Sequence, residues 1–230
     1  ILAGGLPHNV EELVSEYFGG RPSGDARPYR FEGAPPLQGP TILHRSAQHL
    51  LNKDNPQESS AAIKICFHMP PLQHQHGSVI GTMGVLLNLN LFKTISQRKG
   101  LAYGITASYD GRYNQGLFEI SGSIRASAVE KAIDAIFAEI KEIREKPIPE
   151  EELKKIRLKA KYGFAKTAEA NEGHVDLIEV KLDYGLTQEQ WLSSLDAITP
   201  GKVQEIAQAY LPADRNGAYV ALILDPLKEP

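Results

Sequence analysis

Along residues 60–70 apolar and polar side chains alternate: Ile63, Ile65, Phe67 and Met69 are separated by Lys64, Cys66 and His68. A period of two marks a strand with one face on a core. Pro70-Pro71 ends it, because proline has no N–H to give to a ladder. The period then changes. Val79, Ile80, Met83, Leu86 and Leu87 fall three and four apart, the stripe of an amphipathic helix. A second, shorter helix is expected over residues 90–98, closed by Gly100 as a left-handed stop. Leu101–Ser108 and Leu117–Ile124 read as two strands joined through "YDGRYNQG", an antiparallel hairpin.

Helices dominate the remainder. Ser127 with Glu130 has the form of a capping box, ahead of an apolar face of Val129, Ile133, Ile136, Ile140 and Ile143. Pro147-Ile148-Pro149 breaks that helix. Glu150, Glu151 and Glu152 then suit the positive end of the next one, as a solvated helix start. Leu153, Ile156 and Tyr162 form its stripe, and the helix is expected to run on toward Leu182 with a bend near Gly163. Thr187 with Gln190, and Thr199 followed by Pro200, open two more helices; Leu211-Pro212 closes the last. "AYVALIL" supplies a final strand.

The start of the chain has its own pattern. "ILAGG" reads as the tail of a strand entering a loop, so we expect chain upstream of Ile1. Asn9 and Glu12 form a second capping-box pattern; Val10, Leu13, Val14, Tyr17 and Phe18 follow at helical spacing, and Gly19-Gly20 ends the segment. Five prolines and three glycines crowd residues 21–40, the composition of an extended linker. The expected organisation is a strand–helix remnant of a preceding domain-half (1–20), a linker (21–40) and a complete domain (41–230). Strands joined by a hairpin and backed by long helices predict an α+β structure with a mainly antiparallel sheet.

Composition narrows the class. The 230 residues are 42% hydrophobic and 23% charged, ordinary for a globular chain. A net charge of −3 without a basic stripe argues against nucleic acid as a partner. Apolar runs such as "AAIKICF" and "YVALIL" fall far short of the ~20 residues that span a bilayer, so no membrane insertion is expected. The single Cys66 excludes an internal disulfide and a Cys-rich zinc site, and leaves bacterial cytoplasm and periplasm both open.

The usual catalytic constellations are missing. Neither His-Glu-x-x-His nor the inverted His-x-x-Glu-His occurs, so zinc hydrolysis has no converging ligands. His74 and His76 would share a face on a strand, but the prolines before them imply a loop and no spacing supplies a third ligand. His8, His44, His49, His68 and His174 are scattered. Cys66 lies in the most apolar strand, where a structural thiol is expected rather than a nucleophile. No Gly-x-Ser-x-Gly elbow is present; "GRPSG" lies in the linker, and "GSVIGTMG" lacks the ending of a phosphate loop. The residues alone describe a domain without catalytic machinery of its own.

"LFKTISQRKGLAYGITASYDGRYNQGLFEISGSI" resembles the second, non-metal-binding half of the pitrilysin/insulinase-type zinc peptidases, whose motif is inverted. That family includes the mitochondrial processing peptidase and the core subunits of the respiratory cytochrome bc complex. "IPEEELKKIRLKAK" and "LDAITPGKVQEIAQAYL" are similar to its later helices, and "ILAGGLPHNVEELVSEYFGG" to the end of its preceding domain-half. The likeness covers residues 1 to 212. It implies a mainly antiparallel sheet packed against helices, as in the mitochondrial-processing-peptidase-like metallohydrolase fold. It also implies no cofactor in this chain, with zinc in a partner half from the same gene or a separate subunit. The substrate would be a peptide or unfolded protein, and this domain would be inactive alone.

The resemblance places a substrate-binding tyrosine at Tyr103 and an arginine seven positions earlier. That earlier position is Ser96, which has neither the charge nor the reach of a guanidinium. Arg98 is two residues on, turned about 200° away on a regular helix, and the small-residue segment before this helix is shortened to "NLN". Tyr103 therefore carries two readings. It is a half-buried strand tyrosine after a helix stop, or its hydroxyl faces a chamber between halves, with Tyr109 and Tyr113 assisting. The expected function is a non-catalytic half that closes the chamber and positions peptide for a metal-bearing half. The alternatives are a purely structural core-type subunit and a stand-alone small-ligand-binding domain.

Overall fold

The computed structural model describes residues 1–229 apart from 3, 23, 25–36, 73–74 and 112–114. Most of the proline-rich linker, His74 and Tyr113 thus lie outside the described residues. Among the described residues five strands form one sheet in the order β1-β5-β2-β4-β3: β1 Pro40–Ser46, β2 Ser60–Met69, β3 Ala102–Gly111, β4 Gly116–Arg125 and β5 Tyr219–Asp225. The helices are α1 Val10–Phe18, α2 Gly77–Leu91, α3 Val129–Glu145, α4 Glu150–Thr167, α5 Asn171–Tyr184, α6 Gln188–Asp196 and α7 Pro200–Tyr210. β2 runs antiparallel to β4 and β5, and β3 antiparallel to β4. β1 lies parallel to β5, so the sheet is mixed with the expected antiparallel majority.

The period-two pattern of β2 sorts the two faces of the sheet. Ala61, Ile63, Ile65, Phe67 and Met69 are buried, while Lys64 and His68 are exposed. The buried side chains join Ile80, Met83 and Leu87 of α2, Ile136 and Ile140 of α3, and Val203 and Ile206 of α7 in one core. Each such aliphatic side chain contributes about 1.5–3 kcal/mol by leaving water. Phe67 sits at its centre, with ring centroids 6.4 Å from Phe118, 6.5 Å from Phe137 and 6.1 Å from Tyr219. α4 and α6 pack outside α2, and α5 against α4. The opposite face of the sheet is open, with Lys64, His68, Thr106, Ser108 and Leu117 exposed.

Several local expectations are corrected. Residues 90–98 are not a separate helix: Phe92–Arg98 continues α2 as a π-helix, with Ile95 fully buried. The continuous Gly77–Arg98 helix is long and apolar enough by composition to cross a membrane. Nine of the residues of α2 are buried, which makes it a core helix of this domain. The helix expected to bend at Gly163 instead ends at Thr167, and α5 restarts at Asn171. At Gly173 a Cβ would stand 1.9 Å from the Thr167 carbonyl oxygen, so the chain doubles back where only glycine fits. Tyr162 points to solvent together with Leu158, and only Leu153 and Ile156 of that helix are buried.

Asn9 and Ser127 do not cap. The Asn9 side chain makes no cap hydrogen bond, and Ser127 falls in a 3-10 turn, Ala126–Ala128, that leads into α3. Thr187 does cap: its Oγ1 accepts from Gln190 N at 3.2 Å, and Thr187 N donates to Gln190 Oε1 at 2.9 Å. Thr199 Oγ1 accepts from Lys202 N at 3.3 Å, with Pro200 opening α7. Among the described residues no strand is found over 1–5, and no residue of α1 is buried. β1 was not expected, and Pro40, placed at the linker's end, is already its first residue.

Candidate functional site

The route from helix to strand at residues 92–106 is set by three local devices. The π-turn closes with Lys99 N donating to Thr94 O at 3.1 Å and Leu101 N donating to Ile95 O at 2.9 Å. Gly100 makes that return possible by adopting φ +60°, a conformation that costs any residue with a Cβ. Arg125 N then donates to Leu101 O at 3.0 Å, tying the start of β3 to the end of β4. The third device is a bulge. Ala102 pairs with Ile124 and Gly104 already with Ser123, so Tyr103 is the extra residue of β3. Bulges interrupt the alternation of faces and re-aim side chains. Ile105 and Ala107, two and four residues on, are buried, whereas Tyr103 is 60% exposed.

Tyr103 is thus presented to solvent and not half buried. Its hydroxyl donates to Glu58 O at 3.4 Å, a long and weak contact. Beside it, β3 is the edge of the sheet. Asn88 Oδ1 of α2 accepts the Ala107 N–H at 2.9 Å and covers the edge there. Nearer Tyr103 the edge opens into a groove of about 410 Å³ lined by Asn88, Phe92, Gly104, Thr106 and Ser121 among others. Phe92 is exposed, and a Cβ at Gly104 would meet nothing within 4 Å, so the groove is a real gap in the surface.

The other sequence candidates fall elsewhere. Ser96 keeps its Oγ buried, without a hydrogen-bond partner among the described residues. It offers no positive charge. Because this segment is π-helical, the angular offset of a regular α-helix does not carry over to Arg98, which is exposed in the last turn. Tyr109 lies within β3 and is half buried; its hydroxyl donates to Pro70 O at 2.8 Å. Burial, helped by the Asp110 carboxylate, pushes its ionisation up to about 12. Its phenol is held as a structural donor.

On the open face Lys64 Nζ pairs with Glu119 at 2.9 Å, and that hydrogen bond raises the Lys64 ammonium above its ordinary range. Cys66, neighbouring them, is pushed up by burial and then by Glu119, which opposes a reactive thiolate. His44 Nε2 bonds Asp225 at 3.0 Å and His76 Nδ1 lies 3.3 Å from the Tyr210 hydroxyl, while His174 is exposed on α5. Among the described residues no three His, Cys, Asp or Glu side chains stand together as a metal site, so the donor set does not fit zinc. The groove offers the Thr106 and Ser121 hydroxyls and the exposed Phe92 ring; Tyr103, next to Gly104, is not among its described lining residues. Among the described residues it contains no nucleophile–base pair.

Sequence reasoning missed Asn88, Phe92 and the bulge. Gly104 inside a strand pattern was the one available signal, since such a glycine marks a bulge or a close approach.

A family model described as the peptidase M16 inactive domain matches residues 1–159, more than half of the chain. No curated protein matches. Among solved structures, a protease from Helicobacter pylori superposes with a TM-score of 0.77 at 18% identity, covering 97% of this chain and 54% of its own. A peptidase M16 inactive domain from Pseudomonas fluorescens gives 0.75 at 16% identity, covering 96% and 52%. Complex III2 from Candida albicans gives 0.71 at 15% identity, covering 97% and 54%. At these identities the structures establish the fold, and the chain spans about half the length of each. The family model establishes membership: the chain belongs to the peptidase M16 family, as its inactive domain.

Proposed function

We propose that this domain is the non-catalytic half of a zinc peptidase, closing the chamber and positioning peptide for a metal-bearing half. That half comes from the same gene or a separate subunit. The observation that carries the reading is Tyr103, held 60% exposed by a bulge on an edge strand beside an open groove. An edge strand offers unpaired N–H and C=O groups to an extended peptide. The Tyr103 hydroxyl can exchange its weak contact with Glu58 for a substrate carbonyl. Residues 1–20 fit the end of a preceding domain-half and 21–40 a linker. The apolar stripe of α1, with Val10 half buried and Leu13, Val14, Tyr17 and Phe18 exposed, supports that division.

A structural role, as a core-type subunit of an assembly, is the second reading. The orphaned Ser96 hydroxyl at the position of the expected arginine favours it, because half of the substrate clamp is then missing. The two readings separate in a reconstituted pair with a metal-bearing half. Under the first, Tyr103→Phe lowers kcat/KM on an unfolded-protein substrate about tenfold, the worth of one hydrogen bond. Unchanged turnover with intact pairing would assign the domain a structural role.

A further inference from the structure

We propose a second binding site on the helical side of the domain, for an uncharged, mainly apolar small molecule that carries one hydrogen-bonding group. The site is a cavity of about 360 Å³ between α2, α4 and α6, reaching β3 at Tyr109. That is within the size range of small-molecule pockets. It does not involve Tyr103, and it does not rest on the peptidase reading.

Four features point to a ligand of this kind. The walls are Val85, Ile156 and Leu195 with the rings of Tyr109 and Trp191, and none of the described lining residues is Asp, Glu, Lys, Arg or His. A charged ligand would lose its hydration there without a counter-charge. Of the polar lining residues, Tyr109 and Ser194 already donate to Pro70 O at 2.8 Å and Trp191 O at 2.7 Å, Gln75 and Gln190 are exposed, and Ser78 is half buried.

Thr82 is different. It is 5% exposed and lines the cavity, and its hydroxyl makes no hydrogen bond among the described residues but is not one of the buried orphaned atoms. Solvent therefore reaches this hydroxyl through the cavity, and a ligand's polar group would take the place of water on it. Gly81 supplies the last feature. It sits inside α2, where glycine weakens a helix, yet a Cβ there would meet nothing within 4 Å. Close packing does not require this glycine. What it provides is volume in the cavity.

Trp191 is the only tryptophan in the chain and stacks on Phe164 at 4.8 Å, so it reports occupancy directly. The probes are 8-bromooctan-1-ol and 8-bromooctanoate, whose bromine quenches indole fluorescence on contact. The expected result is saturable quenching by the alcohol, with the carboxylate at least ~10-fold weaker because it must be buried uncompensated. Gly81→Leu, which fills the cavity, should abolish the quenching. Thr82→Val, which keeps the shape and removes the hydroxyl, should weaken the alcohol about five- to tenfold. No saturable quenching below the solubility limit, equal binding of alcohol and carboxylate, or quenching that survives Gly81→Leu would overturn the proposal. If Gly81→Leu does not fold, Thr82→Val decides: unchanged affinity for the alcohol overturns it.

Discussion

Replacing Arg144 should show how the helical layer is fastened. Arg144 ends α3, and its Nη1 reaches the last turn of α7, lying 3.0 Å from Ala207 O, 2.8 Å from Gln208 O and 2.5 Å from Leu211 O. Ala207 O also accepts from Leu211 N at 3.0 Å, whereas the Gln208 and Leu211 carbonyls have no backbone partner among the described residues; the guanidinium satisfies those two and meets the negative end of α7. One nitrogen carries two hydrogens, so three contacts count as two charge-assisted bonds. Each is worth about 1.5–3 kcal/mol. Gln208 is exposed and its carbonyl can return to water, which places the sum at the low end. Arg144→Ala should therefore cost about 3 kcal/mol, a large part of the roughly 5–15 kcal/mol that holds a domain together.

The backbone oxygen of Arg144 still accepts from Gln204 and Gln208 in that variant, at 3.1 and 2.8 Å in the parent, so the loss isolates the guanidinium. Urea unfolding followed by circular dichroism would read the change as a midpoint lowered by about 1 M at an m-value near ~3 kcal/mol per M. Arg144→Lys keeps the charge but not the planar fork and should recover less than half. A loss below about 1 kcal/mol, or full recovery by lysine, would mean that the contact is only a surface charge.

Two further perturbations test other parts of the account. Gly100→Ala should cost about 1–2 kcal/mol, all of it backbone, because a Cβ at φ +60° meets no atom within 4 Å. Urea midpoints check this, and a neutral Gly100→Ala would refute the left-handed stop. Tyr109 keeps its proton to about 12 in the folded protein, whereas the unfolded chain releases it near ~10. Between those values the unfolded state binds fewer protons, so the stabilisation is complete below pH ~10 and fades toward pH ~12. Tyr109→Phe should flatten that alkaline decline in urea midpoints, and a decline as steep as the parent's would contradict it.

Which features could be read from the sequence follows from what each depends on. β2, the β3–β4 hairpin and the buried face of α3 rest on strict periodicity, and the Thr187 and Thr199 caps on chemistry within three residues. β1 has no such signature. Ile42 and Leu43 are adjacent, both are exposed, and the strand is held by pairing with β5, which lies at the far end of the chain. The break between α4 and α5 depends on Gly173 against the Thr167 carbonyl, a contact that a run of good helix formers conceals. At the site, resemblance located Tyr103. Its exposure comes from a one-residue bulge, and its groove from Asn88 reaching Ala107 across 19 positions. Neither leaves a local pattern beyond Gly104.

The most direct test of the central claim is the metal content and peptidase activity of this chain purified by itself. The account predicts zinc well below one equivalent after dialysis and no chelator-sensitive cleavage of an unfolded protein. One tightly retained zinc ion per chain, coordinated by its own side chains and accompanied by such cleavage, would contradict the claim that the hydrolytic metal belongs to another half.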